Sequence, residues 1–290
     1  RPMGNMDRAT SMYALKNRRK IINRQALQER LEAVLDEGLT AQKRRAKWLT
    51  LYKEALNNGY DEVRRRFLED HNGALAVIGN CYVIDQILRA MYEMSARHLY
   101  ASGSLTKGET LAIVAVGGFG RGELAPQSDV DLLFLHAYKL SPRVEQIVED
   151  ILYMLWDMGL KVGQSTRSID ECLRQAKSDW TICTSILEAR YICGEKSLFG
   201  DLQRQFAKQV MDGNERNFLE AKLAERDERH TRMGDSRYVL EPNIKDGKGG
   251  LRDLHTLYWI TKFLYRVQDI QELVDQGRLT KRETEHFAKA

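Results

Sequence analysis

The sequence predicts an α+β protein, predominantly helical, with one small mixed β-sheet set between helical regions. Three observations carry this. The 290 residues contain four prolines, Pro2, Pro126, Pro142 and Pro242. Proline breaks helix interiors, so the spans 3–125 and 143–241 are free to be largely helical. Apolar residues recur at helical spacing over long stretches of both spans. Two short apolar runs, LAIVAV (Leu111 to Val116) and VDLLFL (Val130 to Leu135), break that texture, and a glycine-rich turn lies between them.

Taken in order, Leu27, Leu31, Val34 and Leu35 mark a first amphipathic helix, with Gly38 placed as its C-terminal stop. Leu75, Ile78, Tyr82 and Leu88 lie in a second major helix over about 74–100. The two apolar runs are the first strands of the sheet. Val144, Ile147, Val148, Ile151, Leu155 and Met158 form a helical stripe ending before Gly159, and LKVGQSTRS (Leu160 to Ser168) is a third strand candidate. A further helix begins near Leu251, after Gly247, Gly249 and Gly250. The expected division is an N-terminal helical region over 1–72, a sheet-bearing core over 73–170 and a helical domain over 171–290. There is no internal repeat and no low-complexity segment.

Composition narrows the function classes. Apolar residues are 43%, charged residues 30% and the net charge is +4, which favours anionic ligands without marking a dedicated nucleic-acid binder. The clusters KNRRK, QKRRAKW and RRRF have acids interleaved nearby (Glu29, Glu32, Asp61, Glu62, Glu69, Asp70) and read as solvated helix faces, so no nucleic-acid partner is expected. No apolar run of membrane-spanning length stands out, and no membrane role is expected. Cys81, Cys172, Cys183 and Cys193 form no CxxC pair or disulfide framework and read as reduced thiols of a cytoplasmic protein. The close KRETEHFAKA is charged and helix-compatible with no stop signal, so a longer polypeptide is expected. The six histidines form no HxxxH or HD pair and read as structural or exposed, Glu188 and Arg190 as helix-face residues, and Trp48, Trp156, Trp180 and Trp259 as core or interdomain packing.

The chemistry concentrates in GGFGRGELAPQSDVDLLFL, residues 117–135. Gly117 and Gly118 directly after a strand let the backbone approach a ligand and point successive N–H groups at an anion. Arg121 follows, able to pair with phosphate in a forked geometry. The spacing is not a Walker pattern, and Pro126 interrupts too early for a dinucleotide-binding helix. Asp129 and Asp131, two residues apart at the mouth of the second strand, project to one face. Two such carboxylates call for a cation between them, and Mg2+ suits hard oxygen ligands and phosphate substrates. The plainer alternative is that Asp129 caps a turn with Ser128 while Asp131 is a solvated strand-edge residue.

GG followed by DxD on consecutive strands resembles the polymerase-β-like nucleotidyltransferase superfamily. More narrowly, AVGGFGRGELAPQSDVDLLFL and LEPNIKDGKGGLRDLHTLYWI (Leu240 to Ile260) resemble signature blocks of bacterial PII uridylyltransferase/uridylyl-removing enzymes. MLWDMGLKVGQSTRSIDEC and LEARYICGE are similar to that family as well, and the resemblance runs from about residue 75 to the end. It implies a polymerase-β-like nucleotidyltransferase core over 73–170. It implies transfer of UMP from UTP to a tyrosine hydroxyl of the PII signalling protein, with release of pyrophosphate. It places Mg2+ on Asp129 and Asp131 as catalytic and metal-binding residues, and nucleotide on Gly117, Gly118, Arg121 and Ser128.

Lys245, Lys248 and Arg252 are candidates for phosphate or partner contact. The superfamily's third carboxylate is expected on the next strand, where this sequence offers Lys161; Glu241, Asp246 and Asp253 are the candidates further along. Gln164 stands where many relatives have histidine. An HD-type hydrolase domain and glutamine-sensing ACT domains are expected beyond residue 290. Two other readings stay open. One is a related transferase that uses ATP on another protein, such as glutamine synthetase. The other is a non-catalytic nucleotide- or PII-binding module.

Overall fold

The computed structural model describes residues 15–99, 109–138, 140–234 and 243–267. These form two compact units. One contains the described residues up to Cys172 together with Glu188–Gln203; the other contains Leu173–Leu187 and those from Arg204 onward.

The first unit opens with helices α1 (Arg18–Ile21), α2 (Arg24–Ala33), α3 (Ala41–Asp70) and α4 (Gly73–Met94). Three of their starts are capped by a side chain that accepts from the backbone: Asn23 from Ala26, Thr40 from Lys43 and Asn72 from Leu75. After α2 a 3-10 turn runs to Gly38, whose φ of 65° makes it the left-handed stop expected there. α3 and α4 approach closely through two glycines. A Cβ on Gly59 would lie 2.8 Å from Val83, and one on Gly79 2.8 Å from Val63.

α4 is the central core helix, with Cys81, Val83, Ile84, Ile87, Leu88 and Ala90 fully buried. The span Gly73–Leu99 is long and apolar enough to cross a membrane by length and composition, which corrects the expectation that no such run exists. Its apolar side chains nonetheless face the core formed with α3 and the sheet.

The sheet follows: β1 (Leu111–Ala115), the helical turn α5 (Gly117–Gly120), β2 (Val130–His136), α6 (Pro142–Asp157) and β3 (Val162–Ser168). After α7 (Ile169–Ser178) and α8 (Trp180–Leu187) come β4 (Arg190–Gly194) and α9 (Lys196–Phe206). The order is β3-β2-β1-β4, with β1 antiparallel to β2 and β4, and β2 parallel to β3 across α6. Leu111, Ile113 and Ala115 of β1 and Val130, Leu132 and Phe134 of β2 face the same core as the apolar stripe of α6. The third strand is thus where the sequence puts it. The fourth was missed: RYICG is too short to show a period, and its pairing on the free edge of β1 is a tertiary choice. Trp156 also departs from expectation, since it is 45% exposed and stands edge-on to Tyr153.

The basic clusters lie on solvated faces, as Arg65 and Arg66 pairing with Glu62 and Arg45 with Asp157 illustrate. In the second unit, α10 (Glu215–Arg232) and α11 (Leu251–Tyr265) pack through Phe218 and Phe263, stacked at 4.0 Å. Trp180 of α8 meets Phe218 edge-on. The buried Lys222 ammonium lies 5.2 Å from the Trp259 ring and bonds Glu225.

The close crossing of α3 and α4 gives a stability test. Gly59→Leu is expected to cost about 1–3 kcal/mol by overpacking against Val83. Gly73→Ala, at a position with open space around the absent side chain, should cost far less in the same urea unfolding experiment.

Candidate active site

The site is built where β1 ends. Val116 N–H donates to the carbonyl of Asp131, tying the exit of β1 to the second aspartate. The chain then turns sharply at Gly117, in the left-handed region at φ 59°. Gly120 donates to Val116, Arg121 to Gly117 and Glu123 to Gly118. Among the described residues the N–H groups of Gly117 and Gly118 have no acceptor, so the turn presents free donors.

The turn is clamped from below. A Cβ on Gly120 would meet the Glu188 carbonyl at 2.4 Å, so only glycine fits there. Arg190, at the start of β4, bonds Asp85 of α4 through both guanidinium ends, at 2.5 and 3.0 Å. The same guanidinium donates to the Phe119 carbonyl at 3.1 Å and lies over the Phe119 ring. Glu188 is buried and accepts from Arg121 at 2.7 Å. Glu188 and Arg190 are therefore not helix-face residues. Glu188 is buried and Arg190 partly so, and their partners lie far away in sequence, which is why spacing along the chain concealed them.

Asp129 and Asp131 come together on the open side of this turn. Asp129 is exposed just before β2, Asp131 is partly buried within it, and Val130 between them points into the core. Burial first, and the charge of Asp129 second, push the Asp131 carboxyl above its ordinary range. No cation among the described residues pairs with either carboxylate. Two adjacent, uncompensated carboxylates suit a hard divalent cation. Ser128 is exposed in the turn that leads to Asp129, where its N–H donates to the Ala125 carbonyl. Arg121 lies behind Gly118, held by Glu188 and Glu123 rather than projecting alone.

The third carboxylate is not supplied by the neighbouring strand. The residue of β3 opposite Asp131 is Gly163, while Gln164, opposite Leu132, is exposed on the other side of the strand. Among the described residues no group of three acids, histidines or cysteines is poised to hold a metal. Glu241 lies outside the described residues. Asp246 is near Arg252, at 3.6 Å. The Asp253 carboxylate is engaged by Arg229, His230 and the Gly249 N–H. Burial alone would raise the Asp253 carboxyl, but these donors hold it below the ordinary value. His230 and Asp253 thus form a histidine–aspartate pair that the linear sequence does not show.

Lys245, Lys248 and Arg252 belong to the second unit with them. Lys245 and Lys248 are exposed, and Arg252 lies over Trp259. Gly247 and Gly250 are needed by the turn itself, because a Cβ on either would lie 2.6 Å from a backbone oxygen.

Two outcomes follow from these charges. Because the folded pKa of Asp131 is raised, the native state holds its proton more tightly than the unfolded chain, and stability falls as pH rises through the raised value. In metal-free buffer Asp131→Asn should therefore melt higher than the parent at neutral pH. The difference should shrink as pH falls toward the ordinary carboxyl range, about 4. Asp85→Ala has the opposite effect. It removes the buried carboxylate that Arg190 bonds and should cost about 3–5 kcal/mol in denaturant unfolding.

Residues 103–193 match the model described as Nucleotidyltransferase domain, and residues 217–290 match that described as GlnD PII-uridylyltransferase. The chain is 53% identical over 273 residues to a bifunctional uridylyltransferase/uridylyl-removing enzyme of Rhodospirillum rubrum, covering 94% of the chain and 29% of the relative. It is 52% identical over 274 residues to that of Azospirillum brasilense, with the same coverage. It is 46% identical over 275 residues to that of Novosphingobium aromaticivorans, covering 94% and 30%. The chain therefore spans under a third of the length of these curated relatives. Over that span it is similar to bifunctional uridylyltransferase/uridylyl-removing enzymes.

Proposed function

We propose that the protein to which this chain belongs transfers UMP from UTP to a tyrosine hydroxyl of a PII signalling protein. The tyrosine oxygen forms a bond to the α-phosphorus, the bond from that phosphorus to the bridging oxygen breaks, and pyrophosphate leaves. The observation that carries the reading is the pair of uncompensated carboxylates, Asp129 and Asp131, opposite a glycine turn with free N–H donors. The uridylyl group rests on the names of the relatives, and PII as acceptor on the description of the family model that residues 217–290 match.

In this reading the chain supplies no nucleophile. Its residues align and stabilise charge, which is most of what phosphoryl-type transfer requires. The N–H groups of Gly117 and Gly118 hold the β- and γ-phosphates, with Ser128 beside the nucleotide. Arg121, held by Glu188 and Glu123, fixes the back of the turn against which pyrophosphate departs. Asp129 and Asp131 hold Mg2+, which when bound offsets phosphate charge and makes the attacking hydroxyl more acidic. Lys245, Lys248 and Arg252 contact phosphate or the PII surface. The uridylyl-removing activity in the relatives' names is assigned to an HD-type domain beyond residue 290, and the setting is cytoplasmic.

The test is incubation of the full-length protein with Mg2+, α-labelled UTP and PII. Label should appear on PII and fall by more than about a hundredfold in Asp129→Asn or Asp131→Asn, since even outer-shell metal partners are worth about 10–100-fold. Transfer that survives both changes removes the site. Labelling of a different target from ATP, with none from UTP, replaces the substrate assignment.

A further inference from the structure

We infer that Gly163 is a positioning residue for Asp131: the space left by its missing side chain is where the aspartate's carboxylate sits. Three facts bring this out. Gly163 is the cross-strand partner of Asp131 in the parallel pairing of β2 and β3. A Cβ built on Gly163 would lie 2.3 Å from Asp131 Oδ1, closer than real Cβ contacts come. On the other side, a Cβ on Gly117 would lie 3.0 Å from Asp131 Oδ2. The carboxylate therefore spans two glycines, one in the phosphate-facing turn and one in the adjacent strand.

The two glycines differ in why they are glycine. Gly117 has a left-handed φ, a conformation that favours glycine whatever lies nearby. Gly163 is not among the described glycines with positive φ. It sits in a regular strand, where glycine is normally a cost in entropy and packing and marks a close approach. Here the approaching group is the carboxylate. The next strand thus contributes to the cation site by leaving space rather than by adding an acid, which gives a physical reason why no third carboxylate stands at this position. The clashing atom is the end of a rotatable side chain, so a methyl at 163 would turn Asp131 away instead of unfolding the sheet.

The inference rests on the proposed cation role of Asp131, and the test separates the two. Mn2+ binding is measured by electron paramagnetic resonance with a non-hydrolysable UTP analogue, on the full-length protein, its Gly163→Ala variant and a Gly200→Ala control in open space. Gly163→Ala should keep its thermal transition, bind Mn2+ at least tenfold more weakly and need correspondingly more divalent cation for half-maximal transfer. Gly200→Ala should match the parent. Equal Mn2+ affinity in parent and Gly163→Ala overturns the inference. Absence of Mn2+ binding in the parent overturns the cation reading beneath it. If Gly163→Ala does not fold, the Asp131→Ala/Gly163→Ala double variant decides. Recovery of folding shows that the methyl meets the carboxylate, and continued failure shows that it meets something else and overturns the inference.

Discussion

Asp131 has to keep a charged carboxylate partly out of water, beside a second carboxylate, without any cationic side chain to offset it. Such an arrangement is unfavourable in isolation and persists only where the surrounding backbone fixes it. The surrounding structure does so from three directions. Val116 holds the Asp131 carbonyl, the parallel pairing with β3 brings Gly163 alongside, and the glycine turn closes over the other oxygen. The sheet is small, but each of its central pairings bears on the position of this one side chain.

Beneath the turn a second set of charges serves the same end. Arg190 joins α4, β4 and the turn through Asp85 and the Phe119 carbonyl, and Arg121 is held by Glu188. Buried ion pairs contribute little net stability, while breaking one is expensive. Their value here is geometric: they fix a glycine-rich segment that would otherwise have many conformations available. The long apolar helix α4 has the matching role, placing Asp85 inside the core at 1% exposure where Arg190 must meet it.

Much of this was legible in the sequence because it is local. The helix periodicities, the Gly38 stop, the strands on either side of the glycine turn and the Asp129/Asp131 spacing all follow from rules that act over a few residues. What stayed hidden depends on contacts between distant segments. β4 is defined by the free edge of β1, and Glu188 and Arg190 by partners 67 and 105 residues away. The meeting of His230 and Asp253 needs two helices folded together. Gly163 did carry a local signal, a lone glycine inside a strand pattern, but its meaning appears only when the register places Asp131 opposite it.

The central claim is that Asp129 and Asp131, facing the Gly117–Gly118 turn, hold a divalent cation together with the triphosphate of a nucleotide. The most direct measurement is the anomalous scattering of Mn2+ in crystals grown with a non-hydrolysable UTP analogue. The account predicts a Mn2+ peak bound by oxygens of both aspartates, with the triphosphate against the N–H groups of Gly117 and Gly118. A nucleotide and Mn2+ seated elsewhere, with both carboxylates left in water, would contradict it.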